Sequence, residues 1–288
     1  MVYVAIIWLS IFIHEEIEQV NAKVSVIIPC YCSSLTLDRA LESVVSQALL
    51  PNEIILVDDA SPDGGLTIKW IKKFSEDYSN QFAIQTVFLK VNGGAAVARN
   101  AGWSRASQPY VAFLDADDSW HYEKLSIQYR YMEGNPEIMI SGHQCLVRTG
   151  QSENSAVMMS PVEATKVSAK GMLFKNPIQT PTVMIRGDAP FHFREGQRFA
   201  EDLQLWQMLA FSGHLIVRIE LPLAFVHKSL YGDAGLSAKL WEMEKGELSN
   251  YLQLYRADKI GVMVSLIATT YSLLKFFRRI ALTLIRRK

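Results

Sequence analysis

The chain has 288 residues, enough for one large domain or two small ones, and its 49% apolar and 20% charged residues exclude a disordered protein. Its formal net charge of zero gives no reason to expect nucleic acid as a partner. Cys30, Cys32 and Cys145 cannot all pair and lack the second ligand pair of a zinc site, which favours buried, reduced thiols in a cytoplasmic protein.

Residues 1–22 form an apolar N-terminal extension, in which residues 2–13 are almost entirely hydrophobic. This run is too short for a bilayer span of ~20 residues, and it lacks the basic leader and the cleavage site of a secretory signal. It is either an interfacial anchor or an extension upstream of the domain.

Short β-branched runs then alternate with amphipathic stretches as far as residue 114. Strands are predicted at residues 24–28, 53–57, 82–89 and 110–114, with Pro29 ending the first. Helices are predicted at residues 37–48, 68–74 and 93–106. This alternation predicts parallel strands joined by right-handed crossovers, as in nucleotide-binding α/β domains.

The alternation weakens after residue 135. The pattern there predicts strands at residues 138–147 and 182–185, a polar loop at 152–165, and helices at 166–174 and 199–211. We expect this half to extend the sheet.

Polar residues follow several of the predicted strands, where sheets of this kind bind ligands. These candidates are Tyr31, Asp58, Asp59, Asn92, Asp115, Asp117 and Asp118. The three acids of residues 115–118 would repel one another unless a cation such as Mg²⁺ or Mn²⁺ neutralised them. The alternative is a solvated acidic turn, in which Asp118 caps a helix beginning near Trp120.

Two further motifs accompany the acidic cluster. Asp58-Asp59 could accept hydrogen bonds from a base or a ribose, or could initiate the turn before Pro62. Gly93-Gly94 frees the backbone to approach a ligand, and Arg99 follows on the next helix. The alternative is a plain helix start with a surface arginine.

Together, residues 24–31, 57–61, 92–102 and 113–120 resemble family 2 glycosyltransferases in order and spacing. The resemblance covers roughly residues 24–132 and implies a GT-A fold. This α/β fold has a Rossmann-like, mainly parallel sheet flanked by helices, here with a C-terminal helical appendage. The donor-binding residues that the resemblance implies are Pro29, Tyr31, Asp58, Asp59, Arg99 and Asp115.

The resemblance also implies a metal, Mn²⁺ or Mg²⁺, that clamps the donor diphosphate. Asp117 would be its main ligand, helped by Asp115, and His227 is a further candidate or else a packed histidine at a strand end. Glu201-Asp202 matches an acidic landmark of the family and supplies the catalytic pair, with Asp202 as the general base. Without the other motifs, the pair would be two acids favoured by a helix dipole.

These matches predict transfer of a sugar from a nucleotide-sugar, a UDP-sugar, to a hydroxyl of a glycan or lipid-linked acceptor, with inversion, in cell-envelope or polysaccharide assembly. The predicted domain spans residues 23–240, with a nucleotide-sugar half at 23–135 and an acceptor half at 136–240. A nucleotidyltransferase of the same fold class and a non-catalytic nucleotide-sugar-binding subunit are the alternatives.

Residues 241–288 are predicted to form a helical, basic C-terminal segment. Its apolar run at residues 260–274 is too short for a span but suits an interfacial helix. That helix would place Phe276, Phe277 and Ile280 beside Lys275, Arg278 and Arg279, on the cytoplasmic face of the membrane. The alternative is a solvated, partly packed terminal helix.

Overall fold

The computed structural model describes residues 21–148, 162–227 and 239–286. Nine strands within these ranges join one sheet. They are β1 (Ala22–Cys30), β2 (Pro51–Asp58), β3 (Ala83–Phe88), β4 (Tyr110–Phe113), β5 (Asp118–Trp120), β6 (Ile138–Val147), β7 (Ala164–Lys166), β8 (Met184–Arg186) and β9 (Leu215–Val226). The α-helices are α1 (Leu37–Val45), α2 (Leu66–Tyr78), α3 (Ala95–Trp103), α4 (Lys124–Glu133), α5 (Glu201–Phe211), α6 (Leu240–Arg256) and α7 (Val262–Arg286).

The sheet has the order β3-β2-β1-β4-β8-β6-β9-β5, and β7 pairs with β9. The first four strands are parallel to one another, as the alternation of strands and helices predicts. β8 is antiparallel to β4 and β6, while β6 and β9 are parallel. The second half therefore extends the same sheet, and the predicted mixed α/β fold with a C-terminal helical part is confirmed.

Helices cover both faces of the sheet. On one face, α1 buries Leu37, Leu41 and Val44 in a core shared with α2 and α4. On the other face, α3 and α5 pack against the central strands, with Trp206 completely buried. Gly102 brings α3 close to β1, since a Cβ atom on it would lie 2.5 Å from Ile27 Cγ2. This close packing holds the carboxyl end of α3 against β1.

Three local predictions are wrong. β1 does not stop at Pro29 but continues to Cys30. Ile27 is the last β1 residue paired with β4, so Pro29 lies beyond the β1–β4 ladder and its missing amide hydrogen costs that ladder no hydrogen bond. The helix expected near Trp120 begins at Lys124, because Asp118–Trp120 forms β5 against β9. In place of the predicted helix at 166–174, β7 ends at Lys166 and only a 3₁₀ turn, Gly171–Leu173, follows.

The two C-terminal helices pack beside α5 through a small core that contains Tyr251, Leu254 and Ala268. In α7, Phe277 is exposed, but Phe276 is buried against Trp241, with 5.5 Å between ring centroids. None of the helices within the described ranges is long and apolar enough to cross a membrane. One side of α7 therefore packs against the rest of the protein, as the alternative of a partly packed terminal helix states.

The remaining predictions concern the cysteines and the N-terminal extension. Cys30 is buried and Cys145 is half-buried, but Cys32 is exposed, so the expectation of buried thiols is wrong for Cys32. Residues 1–20 of the predicted extension lie outside the described residues, and β1 begins within the extension at Ala22. The predicted domain boundaries stay a prediction.

Candidate functional site

Arg99 joins two acidic parts of the chain. It lies on α3 and is only 4% exposed. Its Nη2 donates to Asp115 Oδ1 at 2.7 Å, and its Nη1 donates to Glu201 Oε1 at 2.9 Å. One buried guanidinium therefore ties the loop after β4 to the first turn of α5.

The surroundings of Arg99 fix its position. Its guanidinium carbon lies 5.3 Å from the centroid of the Phe193 ring. Asn100 holds Phe193 by its backbone, donating to the carbonyl at 2.7 Å and accepting from the amide at 3.1 Å. Burial alone would lower the pKa of Arg99, but the carboxylates of Asp115 and Glu201 raise it above its ordinary range. The predicted place of Arg99 beside a nucleotide stays a prediction, and both terminal nitrogens already bind carboxylates.

Asp59 organises the glycine turn before α3. Its two carboxylate oxygens accept from the amides of Gly93 and Gly94, each at 2.8 Å. Burial raises the pKa of Asp59, while these two amide hydrogen bonds oppose the rise. Asn92 donates to the Asp59 carbonyl at 3.2 Å and accepts from Arg198 at 3.1 Å. Each carboxylate oxygen keeps a lone pair for a ligand.

The other predicted donor-binding residues lie at neighbouring strand ends. Tyr31 follows β1 and is 50% exposed, so its ring can contact a ligand. Pro29 lies within β1, in register with Val57 of β2. Asp58 is buried, and its carboxylate accepts from the amide and hydroxyl of Ser61. Asp58 therefore supports the turn through Ser61, and its predicted part in donor binding stays a prediction.

Asp117 and His227 lie beside a second arginine. Arg39 donates to the Asp117 carbonyl at 2.6 Å, and the charge of Asp117 acts on His227. His227 Nε2 lies 2.7 Å from Ser119 Oγ. Burial, then Arg39 and Arg148, lower the pKa of His227, which favours the neutral imidazole. Within the described ranges, no three His, Cys, Asp or Glu side chains lie close enough to hold a metal by themselves.

Asp202 lies in the first turn of α5, next to the residue that Arg99 binds. Its Oδ2 accepts from Asn176 at 3.3 Å and from Thr180 at 3.2 Å, and its Oδ1 accepts from the Leu203 amide. Burial raises the pKa of Asp202 and also that of Glu201. A carboxyl group with a raised pKa is a stronger base than an exposed aspartate.

Residues of α6 support the turn before Asp202. Asn250 donates to the Ala200 carbonyl at 2.9 Å, and Gln197 donates to Asn250 Oδ1 at 2.7 Å. Gly246 lies so close that a Cβ atom on it would be 2.4 Å from the Phe199 carbonyl oxygen. Ala200 itself has a φ of +54°, an uncommon conformation for a residue other than glycine. The sequence carries no local signal for this support, nor for Asn176 and Thr180.

The described site thus combines a parallel sheet, carboxylates at the ends of β2 and β4, and two adjacent carboxylates at the start of α5, the buried Glu201 and the half-buried Asp202. Such a site defines an α/β protein that binds a nucleotide at its strand ends. The family model of glycosyl transferase family 2 matches residues 25–187, and the chain belongs to this family. Glu201 and Asp202 lie beyond the matched residues.

Individual proteins are also similar to this chain. A putative teichuronic acid biosynthesis glycosyltransferase, TuaG of Bacillus subtilis, is 38% identical over 129 residues, which are 44% of this chain and 49% of TuaG. The matched part therefore spans about half the length of this relative.

Two solved structures share the fold. S. aureus TarS residues 1–349 in complex with UDP-GlcNAc has a TM-score of 0.65 at 20% identity, covering 87% of this chain and 71% of that one. The mannosyltransferase PcManGT from Pyrobaculum calidifontis, in complex with GDP-Man and Mn²⁺, has a TM-score of 0.61 at 17% identity, covering 88% and 74%. At these identities, the likeness supports the GT-A fold.

Proposed function

We propose that this chain is an inverting glycosyltransferase that moves a sugar from a UDP-sugar to a hydroxyl of a glycan or lipid-linked acceptor. The observation that carries the proposal is the double ion pair of Arg99 with Asp115 and Glu201. This double ion pair ties the acidic end of β4 to Glu201, the neighbour of the half-buried Asp202, which supports a single site for a donor and a base. Family membership and the fold of TarS, solved with UDP-GlcNAc, support the donor class.

The donor set fits a divalent metal that is shared with a substrate. Asp115 and Asp117 supply hard oxygen ligands, and Asp115 keeps Oδ2 for a metal while Oδ1 accepts from Arg99. Mg²⁺ is commonly bound by one or two carboxylates together with substrate phosphates. Asp117 and Asp115 would hold Mn²⁺ or Mg²⁺, with His227 beside them. When bound, the ion would stabilise the charge of the departing diphosphate.

In the proposed reaction, Asp202 takes the proton of the attacking acceptor hydroxyl. Asn176 and Thr180 fix its Oδ2, while the backbone of Leu203 fixes its Oδ1. Arg99 lowers the cost of keeping Asp202 ionised, because its positive charge opposes the effect of burial on the Asp202 pKa. A carboxylate held in this way takes the proton from one fixed direction, so the acceptor oxygen attacks the anomeric carbon from the face opposite the departing diphosphate, as inversion requires.

Asp202→Asn tests the assignment of the base. The amide has the same shape but cannot take a proton, so kcat should fall by roughly 10²- to 10⁴-fold, the usual contribution of a general base. UDP-sugar affinity, measured by calorimetry with Mn²⁺ present, should stay within about twofold because Asp202 contacts the acceptor rather than the donor. Retained turnover would mean that another group acts as the base. A product whose anomeric configuration, measured by NMR, is the same as that of the donor would contradict inversion.

We further propose that α7 holds the protein on the cytoplasmic face of the membrane. Met263, Leu266, Ile267, Leu274 and Phe277 are each between 56% and 66% exposed, and they recur at helical spacing. Residues 259–288 contain cations but no acid, which complements anionic lipid. Lys275 and Arg279 pair with Glu247 and Glu244 of α6, so the exposed Arg278 is better placed to face lipid.

Sedimentation with vesicles tests this contact. Wild-type protein should bind phosphatidylcholine vesicles that contain phosphatidylglycerol, and a Leu274→Asp/Phe277→Asp variant should lose most of this binding. Leu66→Asp is the control for a carboxylate introduced at an exposed apolar position, since Leu66 is 55% exposed at the start of α2. Equal sedimentation of all three proteins would refute membrane docking through α7.

A further inference from the structure

A basic cleft lies beside the strand pair β7 and β9. Its volume is about 300 Å³, and its lining includes Lys166, Ser168, Lys175 and Arg218. None of the described residues that line it is acidic. The predicted donor and metal residues all lie outside this cleft.

The wall that carries Lys175 is fixed by three helices. Gln207 of α5 donates to the Met172 carbonyl at 3.0 Å, and the Tyr251 hydroxyl of α6 donates to the Leu173 carbonyl at 2.8 Å. Lys275 of α7 donates to the next carbonyl, that of Phe174, at 3.2 Å. Consecutive carbonyls are thus held from outside the segment, so the backbone that leads into Lys175 has a set position.

The same segment leads directly to the proposed base. Asn176, the neighbour of Lys175, donates to Asp202 Oδ2 at 3.3 Å. Adjacent Cα atoms are about 3.8 Å apart, so the cleft begins within a few residues' length of the Asp202 carboxylate. An acceptor whose hydroxyl lies at Asp202 can therefore reach the cleft with a neighbouring unit.

The charges of the cleft select the kind of anion. Arg218 Nη2 binds Glu220 Oε2 at 2.6 Å, and the hydrogen bonds of Arg218, Thr165 and Gln144 lower the pKa of Glu220 to about 2. The guanidinium fork of Arg218 is therefore occupied by a permanently ionised carboxylate. Lys166 and Lys175 are exposed and set the net charge. Lysines bind phosphate as point charges, whereas planar carboxylates favour an arginine fork.

We propose that this cleft binds a phosphate group of the acceptor, one or two units away from the hydroxyl that is glycosylated. The inference rests on the proposed function, because it takes Asp202 as the place where the acceptor hydroxyl lies. The phosphate belongs either to a repeating unit of a polymer or to a lipid headgroup. Both sources present the same anion to Lys166 and Lys175.

Binding of defined phosphate probes to the full chain tests the cleft. The probes are a fluorescently labelled glycerol phosphate oligomer and phosphatidylcholine vesicles that contain phosphatidylglycerol. Lys166→Glu/Lys175→Glu should weaken binding of one probe by at least about tenfold, since each lysine near an anionic surface contributes ~1 kcal/mol. Lys170→Glu is the control, because Lys170 is exposed on the same segment but does not line the cleft. This single reversal, half the charge change of the double variant, should change binding by less than about twofold.

The outcomes separate the sources of phosphate and the two proposals. Selective loss of oligomer binding indicates a polymer, and selective loss of vesicle binding indicates a lipid headgroup. Lys166→Gln/Lys175→Gln should give a weaker loss in the same direction. The proposed phosphate site is refuted if wild type and Lys166→Glu/Lys175→Glu bind both probes equally. It is also refuted if wild type binds neither probe. UDP-sugar binding is measured in parallel: its absence from wild type refutes the proposed function while leaving a lysine-dependent phosphate site standing.

Discussion

Replacing Arg99 by methionine should destabilise the protein more than replacing an arginine of an exposed ion pair. The change removes the cation from two carboxylates whose side chains are only 27% (Asp115) and 11% (Glu201) exposed. Removing one partner of a buried ion pair costs ~3–5 kcal/mol, and the partial exposure of Asp115 favours the lower end. At about 2 °C per kcal/mol for a chain of this size, a loss of about 3 kcal/mol lowers Tm by about 6 °C at neutral pH.

The deficit should depend on pH in a defined direction. Burial already raises the pKa of Glu201 while Arg99 opposes the rise, so removing Arg99 raises this pKa further. An acid whose pKa is higher in the folded protein than in the unfolded chain loses stability as pH rises between these two values. The Tm difference between Arg99→Met and wild type should therefore shrink as the pH is lowered from neutral towards the ordinary pKa of glutamate.

Scanning calorimetry at several pH values measures both effects, and Arg186→Met is the matched control. Arg186 pairs with Asp188 at 2.6 Å, but the two side chains are 36% and 64% exposed. Exposed pairs contribute ~0–1 kcal/mol, so the control should change Tm by about 2 °C or less. Equal Tm losses in the two variants, or an Arg99→Met deficit that grows on acidification, would refute this account of Arg99.

Two further predictions concern the base and the packing of α3. Burial raises the pKa of Asp202, so the pKa of the acidic limb of the kcat/KM profile should lie above 3.8, the ordinary value for aspartate. A pKa at or below 3.8 for this limb would argue against Asp202 as the base. Gly102→Ala should cost ~1–3 kcal/mol by overpacking, since the new methyl group would lie 2.5 Å from Ile27 Cγ2. Gly134→Ala is its control, with the nearest contact at 3.4 Å, and urea unfolding that shows equal stability for both variants would contradict the packing argument.

The first half of the fold could be predicted because β1, β2 and β4 are largely buried and are followed by recognisable polar residues. The run before Asp115 is apolar at every position, so its strand is evident, and β4 ends only one residue before the predicted limit. β5 could not be predicted in this way. Its three residues are a strand only because they pair with Ala224–Val226 of β9, more than a hundred residues later.

The site, like the fold, could be predicted from the sequence only in part. The spacing of Asp115, Asp117 and the glycine turn predicts where a ligand binds, because strand ends are fixed by local pattern. The partner of Arg99 at Glu201 depends on how α5 packs against α3, and no local pattern records this. Likewise, the sequence predicts Asp59 as an acid facing a ligand, while its bonds to Gly93 and Gly94 depend on the tertiary path of the turn.

The contact of α6 with residues 197–200 limits which parts of the C-terminal segment could be deleted or exchanged. A tail that only attached the protein to a surface could be deleted, or exchanged between relatives, without loss of catalysis. Here Asn250 and Gly246 hold the turn that presents Asp202, so a cut before α6 would remove support from the proposed base as well as the proposed membrane contact. An exchange that begins after α6 would keep this support but would still remove the contact of Lys275 with the Phe174 carbonyl.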